Sequence, residues 1–417
     1  MTRLFQNRKV FAWALYDWAN SAFATTVMAG FFPVFFKLYW AKNLQPTASS
    51  FWFGFASTAA SAIALMMAPL LGALAMRQGK LKPLKTITIV GSLATTALFF
   101  VPALAWPLAL LVFVVACVCF SNGYVFYDAL LMDVATNEQR HRVSALGFAL
   151  GYLGGGLLFA LNIVMVSKPQ LFGIADAATA VRYSLLSAGL WWGIFAVPIF
   201  ISLHETKPQL RASAGDLFRK ALATFQEIRG QRRLLFFLLA YWLYIDGVDT
   251  IMRMAIDYGL AIGLQSQDLT KALLLTQFIG LPATLLFGYI GHRYGAFQTI
   301  CVGLAIYLFV GFWAYFIQTA GEFYFLAIVV GLVQGGVQSL SRSYFTQLLP
   351  PGDHSDYFGF YNMFGKFAAV LGPLLMGLTA YMTDNSRAAS FVVIGLFTGG
   401  ITLFIFSRAG SAAPTTR

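Results

Sequence analysis

Gly72-Ala-Leu-Ala-Met-Arg77-Gln-Gly79 and Gly288-Tyr-Ile-Gly-His-Arg293-Tyr-Gly295 are two copies of one phrase, G-x-x-x-x-R-x-G, set 216 positions apart. Each copy lies between long apolar runs. A phrase repeated at that interval, inside a chain of this character, predicts two similar halves embedded in a bilayer. Repeated halves of this kind meet near the membrane midplane, where secondary transporters hold their cargo. Gly72 and Gly288 are expected to make tight helix-to-loop turns. Arg77 and Arg293 are expected to hold neighbouring helix ends when that side of the protein is closed.

Composition agrees. The chain has 417 residues, 59% hydrophobic and 11% charged, with mean hydropathy +0.72. Soluble domains carry about 25% charged residues. Twelve apolar runs are long enough to cross the hydrocarbon core: 10–40, 51–76, 84–105, 108–132, 143–167, 183–203, 234–264, 270–290, 297–319, 322–349, 355–383 and 388–407. The expected architecture is all-α and integral to the membrane. It has a six-helix bundle over 1–203, a linker over 204–233 and a second six-helix bundle over 234–417. The first run contains Asp17 and is too long for a signal peptide, so it is expected to remain as a membrane helix.

The net charge of +12 is a matter of topology rather than of nucleic-acid binding. With the N-terminus inside, 19 Lys and Arg fall on the inner side and six on the outer: Lys37, Lys42, Lys168, Arg182, Lys271 and Arg387. Removing the whole central loop leaves 12 against 6. The positive-inside rule then puts both termini in the cytoplasm. Cys117, Cys119 and Cys301 fall within spans and make neither a disulfide framework nor a metal site. No nucleophile–base constellation or cofactor loop is apparent, so neither an enzyme nor a cofactor is expected. A receptor or scaffold would call for a large polar extramembrane domain, and the loops are short. The expected partners are the lipid bilayer, a small-molecule substrate, and protons or another coupling cation. The protein is expected to act as a monomer.

Within 204–233, Leu217, Phe218, Ala221, Leu222, Phe225 and Ile228 share one helical face, predicting an amphipathic helix on the cytoplasmic leaflet. In the fifth run, Gly147, Gly151, Gly154, Gly155 and Gly156 are read as close-packing positions rather than a phosphate loop, because no Lys-Ser/Thr follows.

Ionisable residues near the bilayer centre cost roughly 2.5–3.5 kcal/mol each on the insertion scale, so those present ask for a function. Asp246, Asp249, Arg253 and Asp257 form one stripe on the seventh span, with Asp249 and Arg253 placed to pair and Asp246 left without a local partner. Asp17 and Asn20 on the first span mirror Asp246 and Asp249. A pair of carboxylates across a pseudo-symmetric cavity is expected to bind protons or a cation. His141, His204, His292 and His354 are all placed in cytoplasmic loops, which leaves proton coupling to the carboxylates. Gln334, Gln338, Ser341 and Arg342 are expected on one face of the tenth span, and Asn362 and Lys366 on the eleventh. Arg342 and Lys366 are candidates to neutralise an Asp or to grip a substrate carboxylate. Asp128, beside Tyr124 and Tyr127, is expected to close a cytoplasmic gate rather than bind cargo.

The G-x-x-x-x-R-x-G loops resemble the cytoplasmic loop of the major facilitator superfamily, although the acid common before its Arg is replaced by Met76 and His292. Longer strings resemble the autophagy-linked vacuolar amino-acid effluxers and their bacterial relatives. These are Tyr16-Asp-Trp-Ala-Asn-Ser-Ala-Phe23, the run Arg142-Val-Ser-Ala-Leu-Gly to Gly155, Asp246-Gly-Val-Asp-Thr250, and Gly335-Gly-Val-Gln-Ser-Leu-Ser-Arg-Ser-Tyr344 followed by Phe358-Gly. The resemblance implies alternating access and the export of a small zwitterionic or amphipathic solute such as an amino acid. Broad-specificity drug or siderophore transport is the alternative. The compact loops resemble the bacterial members, which implies an inner-membrane location.

The charge distribution predicts that a tag at either terminus or within 204–233 is reachable only from the cytoplasm. Labelling of a 204–233 reporter by an impermeant reagent in intact cells would reverse the assigned orientation.

Overall fold

The structure, a computed structural model, describes residues 7–44, 46–204, 214–349, 355–383 and 385–409. Among these, every regular element is helical. In lipid an unsatisfied backbone group has no water to turn to, so a long apolar run must close its hydrogen bonds on itself. The first run does so as α1, Arg8–Ala22, which continues through wide π-helical turns at Phe23–Phe31 and Phe36–Trp40. Pro33, between those turns, has no N–H and crowds the carbonyl four residues back, which favours the widening. There follow α2 (Pro46–Gln78), α3 (Leu81–Ala97), α4 (Trp106–Val134), α5 (Arg140–Ser167), α6 (Ala177–Phe195) and α7 (Arg232–Ala261). The set ends with α8 (Ser266–Tyr294), α9 (Ala296–Ala314), α10 (Ala320–Leu348), α11 (Ser355–Thr383) and α12 (Ser390–Ala409). Ten segments among the described residues, all but α1 and α11, are long and apolar enough to cross a membrane. The protein is thus an all-α, multi-pass membrane protein.

Buried apolar side chains gather in two clusters. One draws on residues between Val10 and Leu203, the other almost entirely on residues between Ile228 and Phe404. The two halves of the chain touch chiefly where α2 runs along α11 and α5 along α8. Small residues set both contacts. A Cβ on Gly72 would lie 2.9 Å from the Cα of Gly359, and one on Gly359 would lie 2.6 Å from the Ala68 carbonyl. A Cβ on Gly280 would meet the Tyr152 ring at 3.2 Å. Gly72 and Gly288 therefore do not make the turns assigned to them. Both sit inside helices, Gly72 against α11 and Gly288 against α5 near the His141 carbonyl. The turns belong to the last glycine of each phrase, Gly79 at φ 81° and Gly295 at φ 97°, a region that side chains rarely adopt.

The linker helix, Ala214–Gly230, lies on the end of the molecule that carries these turns. Its Ala221, Thr224 and Ile228 are buried, and Phe218, Leu222 and Phe225 form an exposed apolar strip beside them. It is fastened to the first turns of α11. Thr224 donates to Asp356 at 2.5 Å, Lys220 pairs with Asp356 at 3.4 Å, and Tyr357 donates to Glu227 at 2.7 Å.

Gly72→Ala or Gly359→Ala forces a methyl into facing backbone, with an expected cost of about 1–3 kcal/mol to the packed α2–α11 contact. Gly395→Ala, with open space at its Cβ position, is the matched control. Thermal denaturation of the three variants in detergent should show loss in the first two only.

Candidate functional site

Arg342 is 2% exposed in the interior of α10, where a lone cation is not tolerated. Its guanidinium donates to Asp128 on α4 at 3.0 Å, to the Ser144 hydroxyl on α5 at 2.9 Å and to the Ser144 carbonyl at 3.0 Å. Trp13, Tyr127 and Phe148 cover its plane at 4.9, 5.3 and 4.5 Å. The second oxygen of Asp128 accepts from Asn362 on α11 at 3.1 Å. Ser144 donates onward to the Ser339 carbonyl at 2.8 Å. Four helices, two from each half of the chain, are thus tied by one buried polar knot. The fork geometry requires arginine, since a lysine makes neither the double contact nor the stacking. Asp128 thus meets its counter-ion across the seam between the halves, and Arg342 is the cation that neutralises it.

The carboxylates of α1 and α7 sit in matching surroundings. Asp17 is 2% exposed; its Oδ1 accepts from Tyr124 at 3.2 Å and from Ser21, four residues on, at 3.5 Å. Asp246 is fully buried; its Oδ1 accepts from the Gly372 N–H at 2.9 Å and from Thr250, four residues on, at 3.3 Å. In each case a glycine on a partner helix makes room for the acid. A Cβ on Gly151 of α5 would come 3.4 Å from Asp17 Oδ1, and one on Gly372 of α11 would come 2.6 Å from Asp246 Oδ1. In each case Oδ2 is buried with no hydrogen-bond partner among the described residues. The same holds for both amide atoms of the fully buried Asn20 and for Oε1 of Gln334.

One expectation changes here: Asp246 does have a local partner, the Thr250 hydroxyl four residues on, and beside it a backbone N–H on another helix. Asp249 is half-buried and Arg253 exposed. Gln338 is half-buried on α10, and Ser341 turns away from Arg342 to meet Tyr244 at 2.7 Å. The polar residues of α10 thus serve two neighbours, Arg342 the first half of the chain and Ser341 α7. Arg293 touches its own helix, through Tyr289 at 3.3 Å and the Tyr294 ring at 5.5 Å, rather than a neighbouring helix end. The tie at that end of the first half is instead Lys80 to Asp133, at 2.9 Å. The side chains of Arg77, Asp257 and Lys366 lie outside the described residues, as does His354. His141, placed in a loop from sequence, is in the first turn of α5 and 5% exposed. It reaches across to α10, 2.6 Å from Ser343 and 2.9 Å from Gln347. A serine-rich stretch on α10 opposite a His-x-x-Ser on α5 is the only signal the sequence holds for this contact.

Known proteins share this architecture. The family model described as "Vacuole effluxer Atg22 like" matches residues 132–415. An MFS-type transporter of Bacillus subtilis, YxiO, is 37% identical over 403 residues, covering 95% of this chain and 94% of that protein. Autophagy-related protein 22 of Yarrowia lipolytica is 28% identical over 297 residues, 63% of this chain, and the alignment spans only 50% of the yeast protein. In fold, the chain superposes on the human organic anion transporter MFSD10 with a TM-score of 0.75 at 15% identity, over 95% of this chain and 99% of that one. The seam between halves, the matched acids and these likenesses agree: the chain belongs to the Atg22-like vacuole effluxer family, within the major facilitator superfamily.

Proposed function

We propose that this secondary transporter is proton-coupled and moves a small zwitterionic solute such as an amino acid, with export favoured. The observation that carries the proposal is the set of three buried, unpartnered polar atoms on one stretch of α1: Asp17 Oδ2 and the two amide atoms of Asn20. Burying such groups without a partner costs roughly 1–3 kcal/mol each, so a bound ligand or proton repays their placement. A carboxylate beside an amide offers acceptors for an ammonium and a donor for a carboxylate. Loss of water favours the neutral form of any carboxylic acid, which makes a buried one a carrier of protons. Alternating access then needs a seam that opens, and the Asp128–Arg342 knot is the part that must come apart at the end carrying the termini and the linker, assigned to the cytoplasm. Efflux is the direction that the family description names.

The alternative, transport of bulkier amphipathic solutes, draws on a nearly wholly apolar cavity of about 120 Å³ in the second half. Its lining includes Met252, Met254, Tyr258, Met376 and Thr250, the last of which also donates to Asp246. A charged head near Asp246 and an apolar body in that space is the chemistry this reading requires.

In proteoliposomes, Asp17→Asn and Asp246→Asn should each abolish transport driven by a pH gradient while counterflow exchange of solute persists. Arg253→Lys should weaken a carboxylate-bearing solute more than a neutral one. Normal pH dependence in both Asp variants would remove α1 and α7 as the coupling centre. A lowered melting temperature with an unchanged pH profile would make the acids helix ties only.

Asp128→Ala leaves Arg342 buried without its counter-ion, an expected loss of about 3–5 kcal/mol from the state closed at the cytoplasmic end. Cysteine-accessibility labelling should then find that end open in most molecules. An unchanged pattern would show that the apolar contacts alone hold the seam.

A further inference from the structure

His141 stands where the halves meet, with both ring nitrogens engaged by α10. Gln347 presents its amide nitrogen to Nε2 at 2.9 Å. With the amide turned this way Nε2 accepts, and the single ring proton of the neutral form then sits on Nδ1. Nδ1 then donates to Ser343 Oγ at 2.6 Å, and Ser343 turns its own proton toward the carbonyls of Ser339 and Leu340, each at 3.1 Å. The neutral ring is fully satisfied in the closed seam.

The protonated ring is not. A second proton on Nε2 breaks the present contact and obliges Gln347 to turn its amide oxygen inward, and the charged residues that neighbouring elements carry at this end are mostly cationic. Arg140 and Arg142 flank it on α5, His292 and Arg293 end the facing helix α8, and Arg342 lies one residue before Ser343 on α10. The acids of α4 are already engaged, Asp128 with Arg342 and Asp133 with Lys80. Glu138, in the preceding loop, is exposed to solvent. A charge placed on His141 therefore gains no counter-ion while α5 and α10 stay together, and it gains water once they part.

We propose that His141 is a second proton-binding site, separate from the carboxylates of α1 and α7, at which a proton arriving from the cytoplasmic side breaks the α5–α10 contact and opens that end of the seam. The site senses pH at the gate and takes no solute. It requires nothing of the Asp17 reading.

The test uses the full chain in lipid nanodiscs without solute. Spin labels are placed at Asn137→Cys and Gln298→Cys, exposed positions at the seam end of the two halves, with Cys117, Cys119 and Cys301 replaced by Ala. Because the readout is a distance and not a flux, its failure is distinct from failure of the transport proposal. Lowering the pH from about 8 to about 5.5, across the range where an imidazole titrates, should raise the wide-distance population about threefold or more. His141→Gln keeps an amide in reach of Gln347 and cannot titrate; its distance distribution should be the same at both pH values. His292→Gln leaves His141 in place and should respond to pH as the parent does. A flat parent, a pH response retained in His141→Gln, or a response lost in His292→Gln would each overturn the assignment.

Discussion

A guanidinium buried inside a membrane helix must be neutralised, and most of the arrangement between the two halves is what neutralising Arg342 entails. Asp128 supplies the counter-charge, Ser144 takes two further N–H groups, and Asn362 takes up the remaining carboxylate oxygen. Trp13, Tyr127 and Phe148 keep lipid and water from the plane of the fork. Each partner comes from a different place in the chain, so the charge can be satisfied only when α4 and α5 of one half meet α10 and α11 of the other. The interaction is strong when complete and costly when half-made. That is the behaviour of a seam with two settings rather than a graded one.

The remaining contacts between halves are of the opposite kind. Gly72 against Gly359 and Gly280 against the Tyr152 ring are close contacts without directional bonds. Small residues let the helices approach there with no polar partner to lose when they part. Specificity for the closed arrangement is therefore concentrated in the polar knot and in the His141 contact beside it. The linker helix adds a third tie, through Asp356 and Tyr357, on the helix that carries Gly359. Phe218, Leu222 and Phe225 are the large apolar residues that this helix leaves exposed.

The fold was legible because its signals are local: twelve apolar runs, one repeated phrase, and the longer strings that resemble a known family. Asp17, Asp246 and Asp128 were legible for a related reason, since an acid in an apolar run stands out without knowledge of its neighbours. What could not be read was who meets whom. Gly72 and Gly288 looked like turn residues because they open the repeated phrase, yet the helices continue past them and Gly79 and Gly295 make the turns. His141 looked like a loop residue because Arg140 and Arg142 surround it, yet α5 begins at Arg140 and carries the ring into the seam. Asp246 looked unpartnered because α7 offers it no cation of its own, yet the Thr250 hydroxyl four residues on donates to it, and so does a backbone N–H on α11, a donor that leaves no trace in sequence.

The repeat that divides the chain also reaches the acids, and there it is kept only in part. An acid, a hydroxyl four residues later and a glycine on the partner helix recur as Asp17, Ser21 and Gly151, and as Asp246, Thr250 and Gly372. The remaining donor differs. In the first half it is the hydroxyl of Tyr124, a side chain on α4 four residues before Asp128, so the same helix serves both the acid and the knot. In the second half it is fixed backbone of α11. A donor on a rotatable side chain can leave its acid at little cost, whereas a backbone donor leaves only if the helix moves. Two matching sites are thus bound to the seam with different stiffness: a change at Asp17 is felt on α4 through a hydroxyl, and a change at Asp246 is felt along the whole of α11, where Gly359 and Asn362 face the other half.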